Sequence, residues 1–367
     1  MSFDKESLFL RLLHSSNVLK GVGDDGVSLK SKSNIKPNIK TSAKSSGVDF
    51  AKNSFANQKR FASIVDFASE FIIANDGFCE GIHFKREWLS LEQIAKKAML
   101  VNISDIIAMN ACPKYALCSV ILPNLSPNEV AKITTALSNV AKDFGIVFIG
   151  GDTMSGDRLD FHITLFGILQ GKILTRKGLK KGDLIFCTGR VGECLKSLRF
   201  LQNQTTAKSQ NDSKKRLGQG RKQIKISTKS KRFSRFVSPT LRANFVKSIA
   251  DFAHCGLDIS DGVYAELNRL SALNHLGFCL ANTAKSAKNI KKSDKLATTK
   301  PIKSCIILPK ILQKNAYQSG EEYEMLFAIS PKDKLALARK AKQTRTPLCF
   351  IGIAKTQKTL FRTKIWH

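Results

Sequence analysis

The sequence predicts a two-domain protein of the α/β class with mixed sheets. Three observations carry that prediction. The chain has 367 residues, more than one hydrophobic core usually serves. Hydrophobic residues make up 43%, enough to bury a sizeable interior. Strand-like and helix-like runs alternate over residues 60–170, and the alternation resumes after a break near Lys172–Lys180. The expected domains are therefore 1–171 and 172–367.

The elements follow in order. Ser90-Leu-Glu-Gln93 has the form of a capping box and opens a helix from Leu91 to about Asn110, with Ile94, Ala98, Val101 and Ile106 near helical spacing. Pro113 stops it. Tyr115 to Leu122 is a β-rich apolar run. Ser126-Pro127-Asn128-Glu129 starts a second helix, which ends at Gly145. Ile146 to Ile149 is a short strand running into Gly150-Gly151-Asp152-Thr153, and Phe161 to Leu169 is another. In the second half, Leu184 to Cys187, Met325 to Ile329 and Leu348 to Ile353 read as strands. Leu241 to His254 and Val263 to Leu273 read as helices.

Composition narrows the function classes. No apolar run approaches the ~18 residues of a membrane span. The N-terminus lacks the pattern of a secretory leader. Nine cysteines, with no Cys-x-x-Cys, fit buried thiols in a reducing cytoplasm better than a disulfide framework or a zinc site. The formal net charge of +31 invites a nucleic-acid reading, but 25 of those charges fall in three stretches, 28–60, 203–236 and 285–314. All three are poor in the aromatics that stack bases. They read as solvated insertions, and nucleic acid is not the expected partner.

With only 29 Asp and Glu, the placement of acids is informative. Gly23-Asp24-Asp25-Gly26, Asn75-Asp76-Gly77, Ser104-Asp105, Gly150-Gly151-Asp152-Thr153 and Asp258-Ile-Ser260-Asp261-Gly262 each lie at a strand end, a turn or a helix. Any one of them alone reads as ordinary turn chemistry. Jointly, several short carboxylates meeting in one place would repel unless hard divalent cations neutralised them. That implies metal-assisted work on phosphates. The P-loop, dinucleotide-turn, protein-kinase and nucleophile-elbow motifs are absent. Metals would then do most of the phosphate binding.

Seven motifs in order resemble the thiamine-monophosphate kinase family. They are Gly21-Val-Gly-Asp-Asp-Gly26, Asn75-Asp76-Gly77 with Gly81-Ile-His83-Phe84, Val101-Asn-Ile-Ser-Asp105, Ile149-Gly-Gly-Asp-Thr153, Leu174-Thr-Arg-Lys-Gly178, Leu257-Asp-Ile-Ser-Asp-Gly262 and Ser319-Gly-Glu-Glu-Tyr-Glu324. The resemblance implies the aminoimidazole-ribonucleotide-synthetase-like fold, a homodimer meeting through its N-terminal sheets, and ATP-dependent phosphorylation of thiamine monophosphate to thiamine diphosphate. It implies several Mg²⁺ ions held by Asp25, Asp76, Asp105, Asp152, Asp258 and Asp261. Asn75 stands where the family carries a hydroxyl and offers an amide oxygen instead. Gly151, Arg176 and Ser260 match positions that touch ATP. His83, Glu321 and Trp366 match positions that touch the thiamine phosphate. Taken without the resemblance, Arg176 reads equally as a solvated turn residue, His83 as a structural histidine and Glu321 as a helix cap. Other ATP-using members of the superfamily, of the aminoimidazole ribonucleotide synthetase or selenide, water dikinase type, are the alternative. A basic nucleic-acid-binding protein is the remaining one.

Overall fold

The computed structural model describes residues 27–29, 70–212, 233–281, 306–307, 316–358 and 360–363. They form two mixed sheets with helices between and around them.

The first sheet contains β1 (Val27–Leu29), β2 (Phe71–Cys79), β3 (Ala111–Leu122), β4 (Val147–Ser155) and β5 (Asp160–Leu169), in the spatial order β1-β2-β5-β3-β4. Its neighbours pair antiparallel except β3 and β4, which run parallel. A parallel pair needs a crossover, and helix α2 (Pro127–Phe144) supplies it. Helix α1 (Leu91–Ala108) joins β2 to β3. Both helices start on the capping boxes read from the sequence, Ser90 with Gln93 and Ser126 with Glu129. Gly145 closes α2 in the left-handed conformation, φ 66°.

The second sheet contains β6 (Leu184–Thr188), β7 (Ala253–Asp258), β8 (Gly277–Leu280), β9 (Ile306–Ile307), β10 (Met325–Ile329) and β11 (Leu348–Lys355). Its order is β7-β10-β6-β11-β8, with β9 beside β11. Helices α3 (Glu193–Asp212), α4 (Ser234–Val237), α5 (Ala243–Ile249), α6 (Val263–Asn274) and α7 (Lys334–Gln343) accompany it.

Helix α1 ties the halves together. Fourteen of its 18 residues are buried, the signature of a helix surrounded by protein. It packs on β2, β3 and β5 and also touches α4, α5 and β7. One apolar core runs from Ile72, Phe78 and Ile163 of the first sheet through Ile103 and Ile106 to Phe186, Phe245 and Phe327 of the second half. A second core lies between the other face of the second sheet and α6, built on Leu257, Leu267, Leu326 and Ile351.

Several expectations need adjustment. The strand after α2 does not stop at Ile149 but carries Gly150-Gly151-Asp152-Thr153 within itself to Ser155. Helix α5 ends at Ile249, and Ala253–Asp258 is a strand. A short apolar run such as Phe252-Ala-His-Cys-Gly-Leu257 suits either state, and pairing with β10 decides for the strand. Pro113 lies inside β3, where the register with β5 shifts between Pro113 and Tyr115, so the missing N–H costs no ladder bond. The stretch 203–236 is not wholly a solvated insertion. Its start is helical to Asp212, and near its end Phe233 and Phe236 are buried while Arg235 is paired with acids. The stretch 28–60, apart from 28–29, and the stretch 285–314, apart from 306–307, lie outside the described residues. So do Asp25 and Trp366.

Candidate active site

Four acidic groups gather where α1 meets the second half. The phenol of Tyr323 is buried there. Burial first, then the negative charges of Glu321, Asp76, Asp258 and Asp105, push its pKa well up. Those four carboxylates come from β2, α1, β7 and the loop before β10. Three of the four aspartate motifs that fall within the described residues thus lie near enough to Tyr323 to act on its phenol.

The second half supplies a rigid loop. Asp258 ends β7 and is 2% exposed. Its Oδ2 accepts a 2.5 Å hydrogen bond from Ser104 Oγ of α1. Burial raises its pKa, against the Ser104 hydrogen bond and the charges of Arg176 and Arg269. Ser260 accepts at its carbonyl from Glu321 N, 2.6 Å. Asp261 pairs with Arg269, which also binds the buried Glu266 at 2.6 Å. Glu266 in turn accepts from Asp261 N at 3.2 Å. One arginine on α6 thus fixes the loop through two acids. Arg176, on the connection between the sheets, is near enough to act on Asp258 and Glu266.

His83 sits in the loop after β2. Its Nδ1 accepts from Cys79 N at 2.9 Å and its ring stacks on Phe78, centroids 5.4 Å apart. An acceptor Nδ1 places the ring proton on Nε2. Asn75 Nδ2 donates to the Ile163 carbonyl and to Thr164 Oγ1 across the sheet, at 3.1 and 2.8 Å. That orients the amide and leaves Oδ1 as its acceptor.

Gly151 and Asp152 are not brought to this cluster. They lie on β4, three places from β2 in the sheet order, a lateral distance of about 14 Å at ~4.8 Å per strand. They line a cavity of about 560 Å³ between α2 and β4, together with Thr134, Phe148 and Thr153. Gly151 has φ 147°, and a Cβ there would stand 1.9 Å from the Cys118 carbonyl oxygen. Only glycine allows this close approach of β4 to β3. Asp152 is exposed and its Oδ1 accepts from Thr153 N at 2.8 Å.

Lys97, Ser104, Glu266, Arg269 and Tyr323 were not singled out from sequence. Lys97 carried a usable signal, since it falls on the same side of the helix as Ile94, Ala98 and Val101. It is 0% exposed, and Nζ donates to Glu321 Oε2 at 2.7 Å.

The donor chemistry fits magnesium in kind: exposed Asp76, half-buried Asp105 and buried Asp258 offer hard carboxylate oxygens around one buried phenol. Among the described residues, no three His, Cys, Asp or Glu side chains stand together as a ready-made cage. Mg²⁺ characteristically takes one or two carboxylates and completes its shell with water and substrate phosphate. No described helix is long and apolar enough to cross a membrane.

Comparison with known proteins places the chain among similar sequences and folds. Residues 61–169 match the family AIR synthase related protein, N-terminal domain. The chain is 29% identical over 273 residues to the thiamine-monophosphate kinase of Nitrosopumilus maritimus, covering 74% of this chain and 77% of the relative. It is 28% identical to that of Haemophilus influenzae, covering 77% of each. Its fold matches AaThiL complexed with AMPPCP and TMP with a TM-score of 0.65 and 20% identity, over 98% of this chain and 94% of the other. The thiamine-monophosphate kinase of Stenotrophomonas maltophilia matches with a TM-score of 0.62 and 22% identity, over 86% and 96%.

Proposed function

We propose, from the converging carboxylates and the relatives together, that this protein is a thiamine-monophosphate kinase. It transfers the γ-phosphoryl group of ATP to thiamine monophosphate and yields thiamine diphosphate. The observation that carries the reading is the meeting of Asp76, Asp105, Asp258 and Glu321 around Tyr323, at the junction of the two sheets.

The reaction brings two polyanions together, and the acceptor phosphate is already ionised. No protein nucleophile or strong base is required, so positioning and charge compensation carry the catalysis. Asp76, Asp105 and Asp258, with Asn75, Asp261 and Asp25, are the residues that would hold Mg²⁺ at the cluster; Asp152, three strands away on β4, would hold a separate ion. Bound magnesium supplies the positive charge that offsets repulsion between the phosphates. Arg176 adds a fixed cation beside Asp258 and, with Gly151 and Ser260, binds the ATP phosphates. The hollow beside Gly151 is open to solvent, and its backbone and Thr153 lie where a phosphate could rest. His83 donates from Nε2 to the acceptor phosphate, its other nitrogen being committed to Cys79 N. Glu321 receives the cationic, amine-bearing rings of thiamine, and Trp366 is the aromatic residue proposed to contact them.

A homodimer suits the first sheet. On the face turned away from α1, Val27, Ile73, Phe166, Tyr115 and Val147 stand in one cross-strand row. Val147 is 48% exposed. A second copy of this sheet would cover the row. The eight cysteines among the described residues are free thiols, in keeping with a reducing cytoplasm.

The test is direct. Purified protein with Mg-ATP and thiamine monophosphate should form thiamine diphosphate. If none forms while ATP is consumed with another acceptor, the reading is wrong and another ATP-using superfamily chemistry takes its place.

A further inference from the structure

The ion pair of Lys97 and Glu321 is built in a way that balance of charge does not explain. Lys97 is 0% exposed and Glu321 2%. Nζ donates to Oε2 at 2.7 Å and stands 4.0 Å from the centroid of Phe236. The ammonium is thus fixed between a carboxylate and an aromatic face, which limits its freedom. Glu321 is held as tightly. Its backbone is in the left-handed region, φ 53°, uncommon for a residue with a side chain. Its N–H donates to the Ser260 carbonyl at 2.6 Å. Yet Oε1 is buried without a hydrogen-bond partner.

An unsatisfied buried carboxylate oxygen is costly, and a buried pair serving the fold alone is commonly replaceable by apolar side chains. Here the backbone strain, the committed Oε2 and the orphan Oε1 occur in one residue. They point to a side chain clamped so that one oxygen stays ready for a donor supplied from outside the protein. Glu321 also acts on Tyr323, the phenol around which Asp76, Asp105 and Asp258 gather.

We infer that Lys97 is a positioning residue for the acceptor substrate: it fixes Glu321 through Oε2 so that Oε1 meets a cationic or amine-bearing ring, as thiamine monophosphate carries. This rests on the functional reading above. It assigns to α1, an element of the first half, control over acceptor recognition by the second half. It also separates the two substrates, because the carboxylate that Lys97 holds is the one proposed for the acceptor and not for ATP.

The test is a double-substitution cycle over Lys97→Met, Glu321→Gln and both together. It is read by the KM for thiamine monophosphate, the KM for ATP, kcat, and calorimetric binding of thiamine monophosphate without nucleotide. Each single change should raise the KM and the dissociation constant for thiamine monophosphate by about tenfold or more, the loss of one charge-assisted contact. The KM for ATP should stay within about twofold. In the double variant the effects should not multiply, because Lys97 acts only through Glu321. Should Lys97→Met fail to fold, Glu321→Gln against the double variant, which buries no lone carboxylate, gives the same comparison. The inference is overturned if Lys97→Met lowers only the melting temperature, if both KM values rise alike, or if the two effects multiply. Wild-type protein that neither binds nor phosphorylates thiamine monophosphate would instead defeat the functional reading, and this inference with it.

Discussion

Ser104 of α1 and Asp258 of β7 share a 2.5 Å hydrogen bond across 154 positions of sequence. It joins the two halves at the point where the acids converge. Asp258 is buried, and its pKa is raised by burial despite this bond. A carboxyl with a raised folded pKa contributes stability that is fully present below its unfolded value, 3.8, and lost as pH rises through the folded pKa. Ser104→Ala removes a partner of the ionised form and raises that pKa further. The variant should lose about 1–3 kcal/mol near neutral pH and recover part of it as the pH falls toward 4. Urea titrations without metal at several pH values check this; an equal loss at every pH would contradict it.

Asp152→Asn should separate function from fold. The side chain is exposed and accepts from the neighbouring Thr153 N–H, which an amide oxygen also satisfies. Removing a ligand charge should cut turnover by about a hundredfold or more. The melting temperature should move by no more than about 2 °C. Steady-state kinetics and thermal melts decide it.

Gly151→Ala should fail for a steric reason. Its Cβ would stand 1.9 Å from the Cys118 carbonyl oxygen, so β4 must part from β3 locally. A cost of about 1–3 kcal/mol and weakened binding of an ATP analogue are expected together. Normal analogue affinity would dissociate Gly151 from the nucleotide site.

Glu324 is 0% exposed and accepts from Arg242 Nε and Nη2 at 2.9 and 2.8 Å, from Arg235 at 2.7 Å and from Thr188 Oγ1 at 2.5 Å. Glu324→Ala takes from Arg242 and Arg235 the carboxylate they share, though Arg235 keeps Glu322, and should cost about 3–5 kcal/mol, measured by chemical denaturation. The same cluster sets the limit for trimming the basic stretch. Excising 213–232 should leave turnover near that of the full chain. Excising 203–236 removes Phe233, Arg235 and Phe236 and should abolish soluble expression.

What the sequence disclosed, and what it hid, follows from the range of the interactions. The capping boxes at Ser90 and Ser126 and the close of α2 at Gly145 are local, and all three stand as read. The strand Met325–Ile329 is a run of five buried residues and was equally plain. The acids stood out because so few exist, and Asp76, Asp105 and Asp258 all act on the one buried phenol of Tyr323. Lys97 stands on the apolar side of α1, yet its residue type points to water, so its position and its chemistry give opposite signals. Its partner lies 224 positions away. Arg235 was concealed by the basic residues around it. The strand Ala253–Asp258 needed knowledge of β10 to be told from helix.

The central position of α1 has a consequence for how the protein is made. Its side toward Phe236, Phe245 and Asp258 has nothing to rest on until synthesis has passed residue 258. The nascent N-terminal half therefore leaves the ribosome with a bare apolar flank. A fragment ending at Leu169 would expose that flank and is expected to aggregate rather than persist.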